Sequence, residues 1–273
     1  MKDKIMNAFL KVATFLSTQK YLAAIKNGFA GMTGMVIIGS FCTLIANVVC
    51  NDSPGYVSIA NLPGMSWLSV LKPIFTSVNY GTMNFMTIFL IFLIAMEIGK
   101  TYDIKHFELG LVAIGSYISI CLTKVDIECA AAEGGIHTIA NVLSQDYTNA
   151  SGLFVGMFVA IISAEIYCKL VKGKKLEIKL PDSVPENVAH SFAVLLPAAV
   201  TMLCISTLGF IFEKITGMTI FSAIVTFIQA PVSKIITGLP GYLFIIFLIS
   251  LLWFFGIHGV QTLSPIILPS LLA

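Results

Sequence analysis

Residues 242–259 read YLFIIFLISLLWFFGIHG, a nearly continuous apolar run that ends in a histidine between two glycines. Inside a bilayer every backbone N–H and C=O must find a partner within the protein, so Gly256 and Gly259 predict an interrupted helix. Such a break is tolerated where it faces a cavity or packed protein. An ionisable residue at that depth is a functional candidate by default. His258 is therefore the leading site candidate; the alternative is a helix-end histidine that bonds a neighbouring carbonyl.

The composition of the whole chain is typical of an integral membrane protein. Of its 273 residues, 57% are hydrophobic and 11% are charged, and the mean hydropathy is +0.93, whereas soluble domains carry about 25% charged residues. All 16 basic residues are lysines, so bidentate guanidinium recognition of phosphate is excluded. The net charge of +2 gives no indication of nucleic acid, and we expect no such partner.

The sequence contains no recognised motif for binding a metal ion or a nucleotide phosphate. The six cysteines form no C-x-x-C pair, so we interpret them as small buried hydrophobes rather than metal ligands or disulfides. No phosphate-binding GxxxxGK[ST] loop occurs either. We therefore expect no metal, no cofactor and no catalytic residue in this chain.

Apolar segments of about the length that a bilayer requires, roughly 20 residues, recur along the chain. The candidate spans are residues 28–50, 83–98, 107–122, 152–170, 188–210 and 242–255. Residues 51–78 are predicted to form a re-entering or surface loop. We predict an all-α polytopic membrane protein with about six transmembrane helices plus one amphipathic or re-entrant helical segment.

The additional helical segment, residues 217–236, carries one polar stripe on an otherwise apolar helix. Its members recur at steps of three and four: Thr219, Ser222, Thr226, Gln229 and Ser233. A polar stripe at membrane depth favours a water-filled or sugar-filled cavity. The alternative is an interfacial helix whose polar face lies among headgroups.

The lysines predict the orientation of the chain. Residues 1–27, 99–106 and 171–186 are basic and residues 123–150 are acidic, so the positive-inside rule places the first three in the cytoplasm and the last outside. The N-terminus is then cytoplasmic. The densest lysine cluster, residues 169–179, either sets this topology or attracts a partner protein or anionic membrane lipid.

Two acidic residues and two histidines have alternative interpretations. Glu165 and Glu97 are spaced to pair with Lys169 and Lys100 on their own helices, and the alternative role for Glu165 is a coupling or gating carboxylate. His137 is interpreted as an exposed loop residue. His190 is interpreted as an interface residue near the start of a helix.

Several motifs, taken in order, resemble one family. They are QKYLAAIKNGF at 19–29, SGLFV at 151–155, AEIY at 164–167, LPDSVPENVAHSF at 180–192, LP at 196–197 and FGIHG at 255–259. Together they resemble the membrane component, IIC, of the lactose/cellobiose/diacetylchitobiose branch of the bacterial sugar phosphotransferase system. The resemblance runs through nearly the whole chain.

The resemblance implies a domain organisation. It comprises a cytoplasmic amphipathic N-terminus (1–27), scaffold and dimerisation helices (28–171), a cytoplasmic basic linker (172–186) and an incomplete sugar-binding domain (187–273). The family continues beyond this length with an Asn-Glu-Pro segment that nothing in residues 260–273 matches. The chain also stops within an apolar segment, so we expect a truncated product.

The resemblance also implies a site. His258 would bond a sugar hydroxyl, and Gly256 and Gly259 would let the backbone approach the ligand. Ser151 and Gly152 match the end of a motif that reaches the sugar from the other half of the protein.

The function implied is that of a sugar-specific permease subunit in the bacterial plasma membrane. It would work as a homodimer and translocate a β-linked disaccharide for phosphorylation by a phosphorylated IIB protein. Because the chain carries no phosphoryl-bearing residue, whether it counts as an enzyme stays open. The alternatives are a truncated, non-transporting membrane fragment and a gradient-driven secondary sugar transporter, which the scarcity of buried acids disfavours.

Overall fold

The structure is a computed structural model that describes residues 19–128, 136–178, 180–181 and 183–254, with the single residues 260, 263, 266, 267 and 270. Helices dominate this part of the chain. Five continuous helical segments, some built from several consecutive elements, are long and apolar enough to cross a membrane, and two shorter apolar helices accompany them; the five are Lys20–Val49, Ser66–Lys100, Ala150–Gly173, Val188–Thr216 and Ile220–Thr237. The predicted all-α polytopic membrane fold is therefore confirmed.

The described residues form ten α-helices and one β-hairpin. The helices are α1 (Lys20–Leu44), α2 (Lys72–Met83), α3 (Met86–Lys100), α4 (Glu108–Ile118), α5 (Gln145–Thr148), α6 (Leu153–Gly173), α7 (Glu186–Thr216), α8 (Ile220–Ile224), α9 (Ala230–Thr237) and α10 (Leu239–Phe254). The strands β1 (Lys124–Glu128) and β2 (Ile136–Ala140) pair antiparallel between α4 and α5. Single π-helical turns extend α1 over Ile45–Val49 and join α8 to α9 over Val225–Gln229.

The core is organised around α3. Its buried side chains recur at helical spacing and contact α1, α4 and α6; they include Leu90, Ile91, Ile94, Ala95 and Ile98. A helix surrounded by three others has almost no polar face to present, which explains the apolar sequence of this segment. Gly28 of α1 packs directly on α3, because an added Cβ would lie 2.9 Å from Cγ1 of Ile94.

Two segments predicted as loops contain regular structure. In the predicted loop 51–78, α2 begins at Lys72 with Pro73 in its first turn, a position that suits proline because its missing N–H has no partner there anyway. In the acidic segment 123–150, the alternation of Val125 and Ile127 with polar neighbours matches a strand. The sequence prediction for this segment used only its negative charge, so the strand was not predicted.

The segment with the polar stripe is not one uninterrupted helix. Residues 217–236 form α8, the π-turn and α9, and π-turns of this kind occur often at functional sites. Gln229 ends the π-turn and is buried, and its Oε1 has no hydrogen-bond partner among the described residues. The burial of Gln229 places this part of the stripe against protein rather than among headgroups. The cavity along the stripe stays a prediction, and the segment Ile220–Thr237 is long and apolar enough to cross a membrane.

Candidate functional site

The turn that precedes α6 carries the two site residues that the structure describes, Ser151 and Gly152. The side chain of Asn149 accepts a hydrogen bond from the Ser151 N–H at 2.8 Å. The hydroxyl of Thr87, on the central helix α3, donates to the Asn149 carbonyl. Ser151 is half-buried and Gly152 is buried, so the scaffold helices fix this turn rigidly.

Gly152 is required by packing. A Cβ added at Gly152 would lie 2.5 Å from the Tyr147 carbonyl oxygen and 2.7 Å from the Tyr117 hydroxyl oxygen. These two groups are themselves joined, because the Tyr117 O–H donates to the Tyr147 carbonyl at 2.7 Å. Gly152 therefore allows its turn to pack closely against Tyr117 and Tyr147. Its predicted role at a ligand stays a prediction.

Gly152→Ala is expected to lower the melting temperature of the detergent-purified protein by several degrees. The new methyl group has to displace a backbone carbonyl, and overpacking of this kind costs about 1–3 kcal/mol. The control is Gly34→Ala on α1, where an added Cβ meets nothing within 4 Å. Equal melting temperatures for the two variants would contradict the tight packing at Gly152.

A polar cleft of about 210 Å³ lies between α4 and the second half of the chain. Its polar lining comes from both sides, with Ser119 before the hairpin and Ser206, Glu213 and Thr219 on α7 and at the start of α8. Pockets for drug-sized ligands are about 300–1,000 Å³. The cleft is therefore smaller than a typical ligand pocket, and its lining offers hydroxyl and carboxylate groups as hydrogen-bond partners.

Cys121 and Tyr147 connect this cleft to the Gly152 turn. Cys121 lines the cleft, and its thiol donates to the Tyr117 carbonyl at 3.3 Å. The ring of Tyr147 meets the ring of Phe221 on α8 edge to face, with centroids 4.5 Å apart. The turn, the cleft and the helix with the polar stripe are thus contiguous.

A second polar cluster surrounds Glu165 on α6. Glu165 is 9% exposed and forms ion pairs with Lys20 and, at 3.6 Å, with Lys169. The Tyr102 hydroxyl donates to its Oε2 at 2.7 Å, and the Lys20 ammonium lies 4.2 Å from the centroid of the Tyr102 ring. The predicted pair with Lys169 is confirmed, but Lys20, distant in sequence, is the closer partner.

Glu97, the other acid predicted to pair with a lysine on its own helix, forms that pair with Lys100. It also accepts a hydrogen bond from the Asn27 side chain of α1 at 3.0 Å. This pair is therefore structural, as predicted.

The three other predicted site residues, Gly256, His258 and Gly259, lie outside the described residues. Sequence reasoning missed the tyrosines Tyr102, Tyr117 and Tyr147, which organise the two clusters. Only Tyr117 carried a signal in the sequence, because it lies within an apolar run and a buried tyrosine needs a partner for its hydroxyl. Which partner it finds depends on contacts between distant segments.

The fold is that of a polytopic helical membrane protein with a polar cleft between the two halves of the chain. The sequence profile of the family described as "Phosphotransferase system, EIIC" matches residues 26–273. The chain belongs to the phosphotransferase system EIIC family. Family membership and the apolar helices together make it a multi-pass protein of the plasma membrane.

Similar proteins cover nearly all of this chain. It is 29% identical to the oligo-beta-mannoside-specific EIIC component of Bacillus subtilis (strain 168), over 98% of the chain and 58% of that protein. It is 27% identical to the cellobiose-specific EIIC component of Geobacillus stearothermophilus, over 98% of the chain and 57% of that protein. The crystal structure of ChbC, the IIC component from the N,N'-diacetylchitobiose-specific phosphotransferase system, matches with a TM-score of 0.81 and 29% identity. That match covers 96% of this chain and 59% of the other, so the chain spans somewhat over half the length of these relatives.

Proposed function

We propose that this chain is the sugar-permease part of a phosphotransferase system and translocates a β-linked disaccharide for phosphorylation by a separate IIB partner. The observation that carries the proposal is the family match over residues 26–273. The similar proteins named for oligo-beta-mannoside, cellobiose and diacetylchitobiose support this class of substrate.

The chemistry of such a system explains why the sugar is transported into the cell and does not return. A neutral sugar crosses the permease, and a phosphoryl group transferred from the IIB protein gives it charge. The charged product cannot recross a hydrocarbon layer, because an unpaired ion there is strongly disfavoured. The permease therefore has to bind an uncharged sugar and release it towards the partner, and it needs no phosphoryl-carrying residue of its own.

The proposed sugar site combines both halves of the chain. His258 bonds a sugar hydroxyl, Gly256 and Gly259 let the backbone approach, and the turn at Ser151 and Gly152 supports the site from the scaffold. The contact of Tyr147 with Phe221 supports this arrangement, since it joins that turn to the helix with the polar stripe. The adjacent cleft adds hydroxyl groups of the kind that bond sugars.

The proposed organisation assigns residues 28–171 to a scaffold that forms a homodimer and residues 187–273 to the sugar domain, joined by the linker 172–186. The shared core of α1, α3, α4 and α6 supports a scaffold unit. The outer face of α1 exposes large apolar side chains, which suit a second subunit or lipid; they include Ile37, Ile38, Phe41 and Leu44. The N-terminus and the linker face the cytoplasm, as the lysines predict.

The test is uptake of radiolabelled cellobiose into cells that lack their own β-glucoside transport and express the full-length protein with or without a cognate IIB protein. The expected result is intracellular sugar phosphate that requires both proteins and phosphoenolpyruvate. Accumulation of unmodified sugar that a protonophore abolishes would replace this proposal with a gradient-driven transporter. Absence of any uptake, from a protein shown to be in the membrane, would favour a non-transporting fragment.

A further inference from the structure

A cluster of two histidines and one glutamate joins the scaffold to the second half of the chain. His106 lies in the turn before α4, Glu108 is the first residue of α4, and His190 lies in the first turns of α7. One ligand atom from each residue lies within 4.8 Å of the other two. Sequence reasoning expected no metal ligands here, because His190 is distant in sequence from the other two residues.

The polar atoms of this cluster are buried without hydrogen-bond partners. Glu108 Oε2 and His190 Nε2 are both buried and unpartnered, and the 3.7 Å between His190 Nε2 and Glu108 Oε1 is too long for a hydrogen bond. Buried polar atoms are almost always satisfied in folded proteins, and a bound water molecule or ion is a recognised explanation of an exception. Here the unsatisfied atoms are an imidazole nitrogen and a carboxylate oxygen, which are both metal ligands.

We propose that His106, Glu108 and His190 bind a divalent transition-metal ion, with Zn²⁺ as the preferred cation. Two histidines and one glutamate form a known three-ligand set for zinc, with a fourth position left to water. Imidazole nitrogen favours Zn²⁺, Cu²⁺ or Ni²⁺ over Mg²⁺ and Ca²⁺, which prefer oxygen.

The spacing of the ligands needs only a small adjustment. Tetrahedral zinc with bonds of about 2.0 Å holds its ligand atoms about 3.3 Å apart, close to the 3.7 Å between His190 and Glu108. All three ligand atoms lie within 4.8 Å of one another, and the ring of His106 lies beside that of His190 with centroids 4.0 Å apart. Because His106 is exposed, its side chain is free to rotate towards a bound ion.

The surroundings give an ion access to the cluster. A cleft of about 140 Å³ opens beside His190, with Lys174 and Glu177 in its lining. A bound ion would tie α7 to α4 immediately after the linker 172–186. The site therefore lies at the junction between the two halves of the chain. Any movement of one half against the other would change the distances between its ligands.

The experiment is Zn²⁺ binding to the full-length protein, purified without a polyhistidine tag and stripped with a chelator. We expect one bound Zn²⁺ per chain and a higher melting temperature with Zn²⁺ than with Mg²⁺. Zn²⁺ binding should be at least about 10-fold weaker in each of the variants His106→Asn, Glu108→Gln and His190→Asn, because changes even to residues behind the ligands cost 10–100-fold at metal sites. Each substitution should also abolish the rise in melting temperature that Zn²⁺ causes.

The matched control is His137→Asn on β2, which removes a histidine outside the cluster and should leave both readouts unchanged. The melting temperature of each variant without metal shows whether it is folded. Unchanged Zn²⁺ affinity in the three cluster variants, or no stoichiometric binding by the wild-type protein, would overturn the proposal. Neither result depends on sugar transport, so the metal site and the proposed function fail separately.

Discussion

Glu165→Ala is expected to lower the melting temperature of the detergent-purified protein by about 5 °C. The side chain accepts from Tyr102 and faces Lys20 and Lys169, so its removal leaves Lys20 over an aromatic ring without a countercharge. Breaking a buried pair costs about 3–5 kcal/mol. The Lys20 side chain is 31% exposed, so solvent screening reduces the expected loss to about 2 kcal/mol.

The control for this prediction is Glu97→Ala. Its partner Lys100 is 64% exposed in its side chain, and exposed pairs contribute about 0–1 kcal/mol. In the double variant of Lys20→Met with Glu165→Ala, the loss should be smaller than the sum of the single losses, because no unpaired charge remains. A loss at Glu165 no larger than that at Glu97 would contradict the structural role.

Glu165→Gln separates the structural role of this carboxylate from the alternative of a gating carboxylate. A structural residue gives a parallel fall in melting temperature and in the amount of folded protein. A gating residue gives normal stability with transport abolished. We expect the first outcome, because the side chain is held by three partners from α1, α6 and the turn after α3.

His258→Ala is expected to weaken disaccharide binding by about 10- to 100-fold. The loss corresponds to about 1.5–3 kcal/mol, the cost of removing one hydrogen-bonding partner from a buried ligand group. Equilibrium dialysis of radiolabelled cellobiose against the full-length protein measures it. The melting temperature should stay unchanged, because the proposal gives His258 a contact with the ligand and no part in holding the fold together.

His137→Ala serves as the matched control for His258→Ala, since β2 lies in the segment predicted to face the outside of the cell. It should bind the sugar with wild-type affinity. Wild-type affinity in His258→Ala itself would remove the motif at 255–259 from the proposed sugar site, without affecting the family assignment.

Local features of the chain were predictable from the sequence. Apolar length identified most of the long helical segments, although the predicted spans 107–122 and 242–255 contain shorter helices. The spacing of Glu165 and Lys169 identified their pair. Both features depend on residues close together in the chain. Lys20, which lies closer to Glu165, was not predictable, since its approach depends on how α1 packs against α6. The cluster of His106, Glu108 and His190 escaped prediction for the same reason.

Gly152 illustrates the limit of motif-based reasoning. The motif placed it at the sugar, and the structure shows it packed against Tyr147 and Tyr117. A glycine can serve a close approach by a ligand or by the protein itself, and the sequence does not distinguish the two. The positions of Tyr117 and Tyr147 in the fold determine which group fills the space beside Gly152.

The central claim is that this helical membrane protein holds an uncharged disaccharide in a pocket between interrupted helices. The most direct test is equilibrium dialysis of the wild-type full-length protein with radiolabelled cellobiose. The account predicts saturable binding at one site per chain, displaced by unlabelled cellobiose and not by the α-linked disaccharide maltose. Binding that fails to saturate, or that maltose displaces equally well, would contradict it.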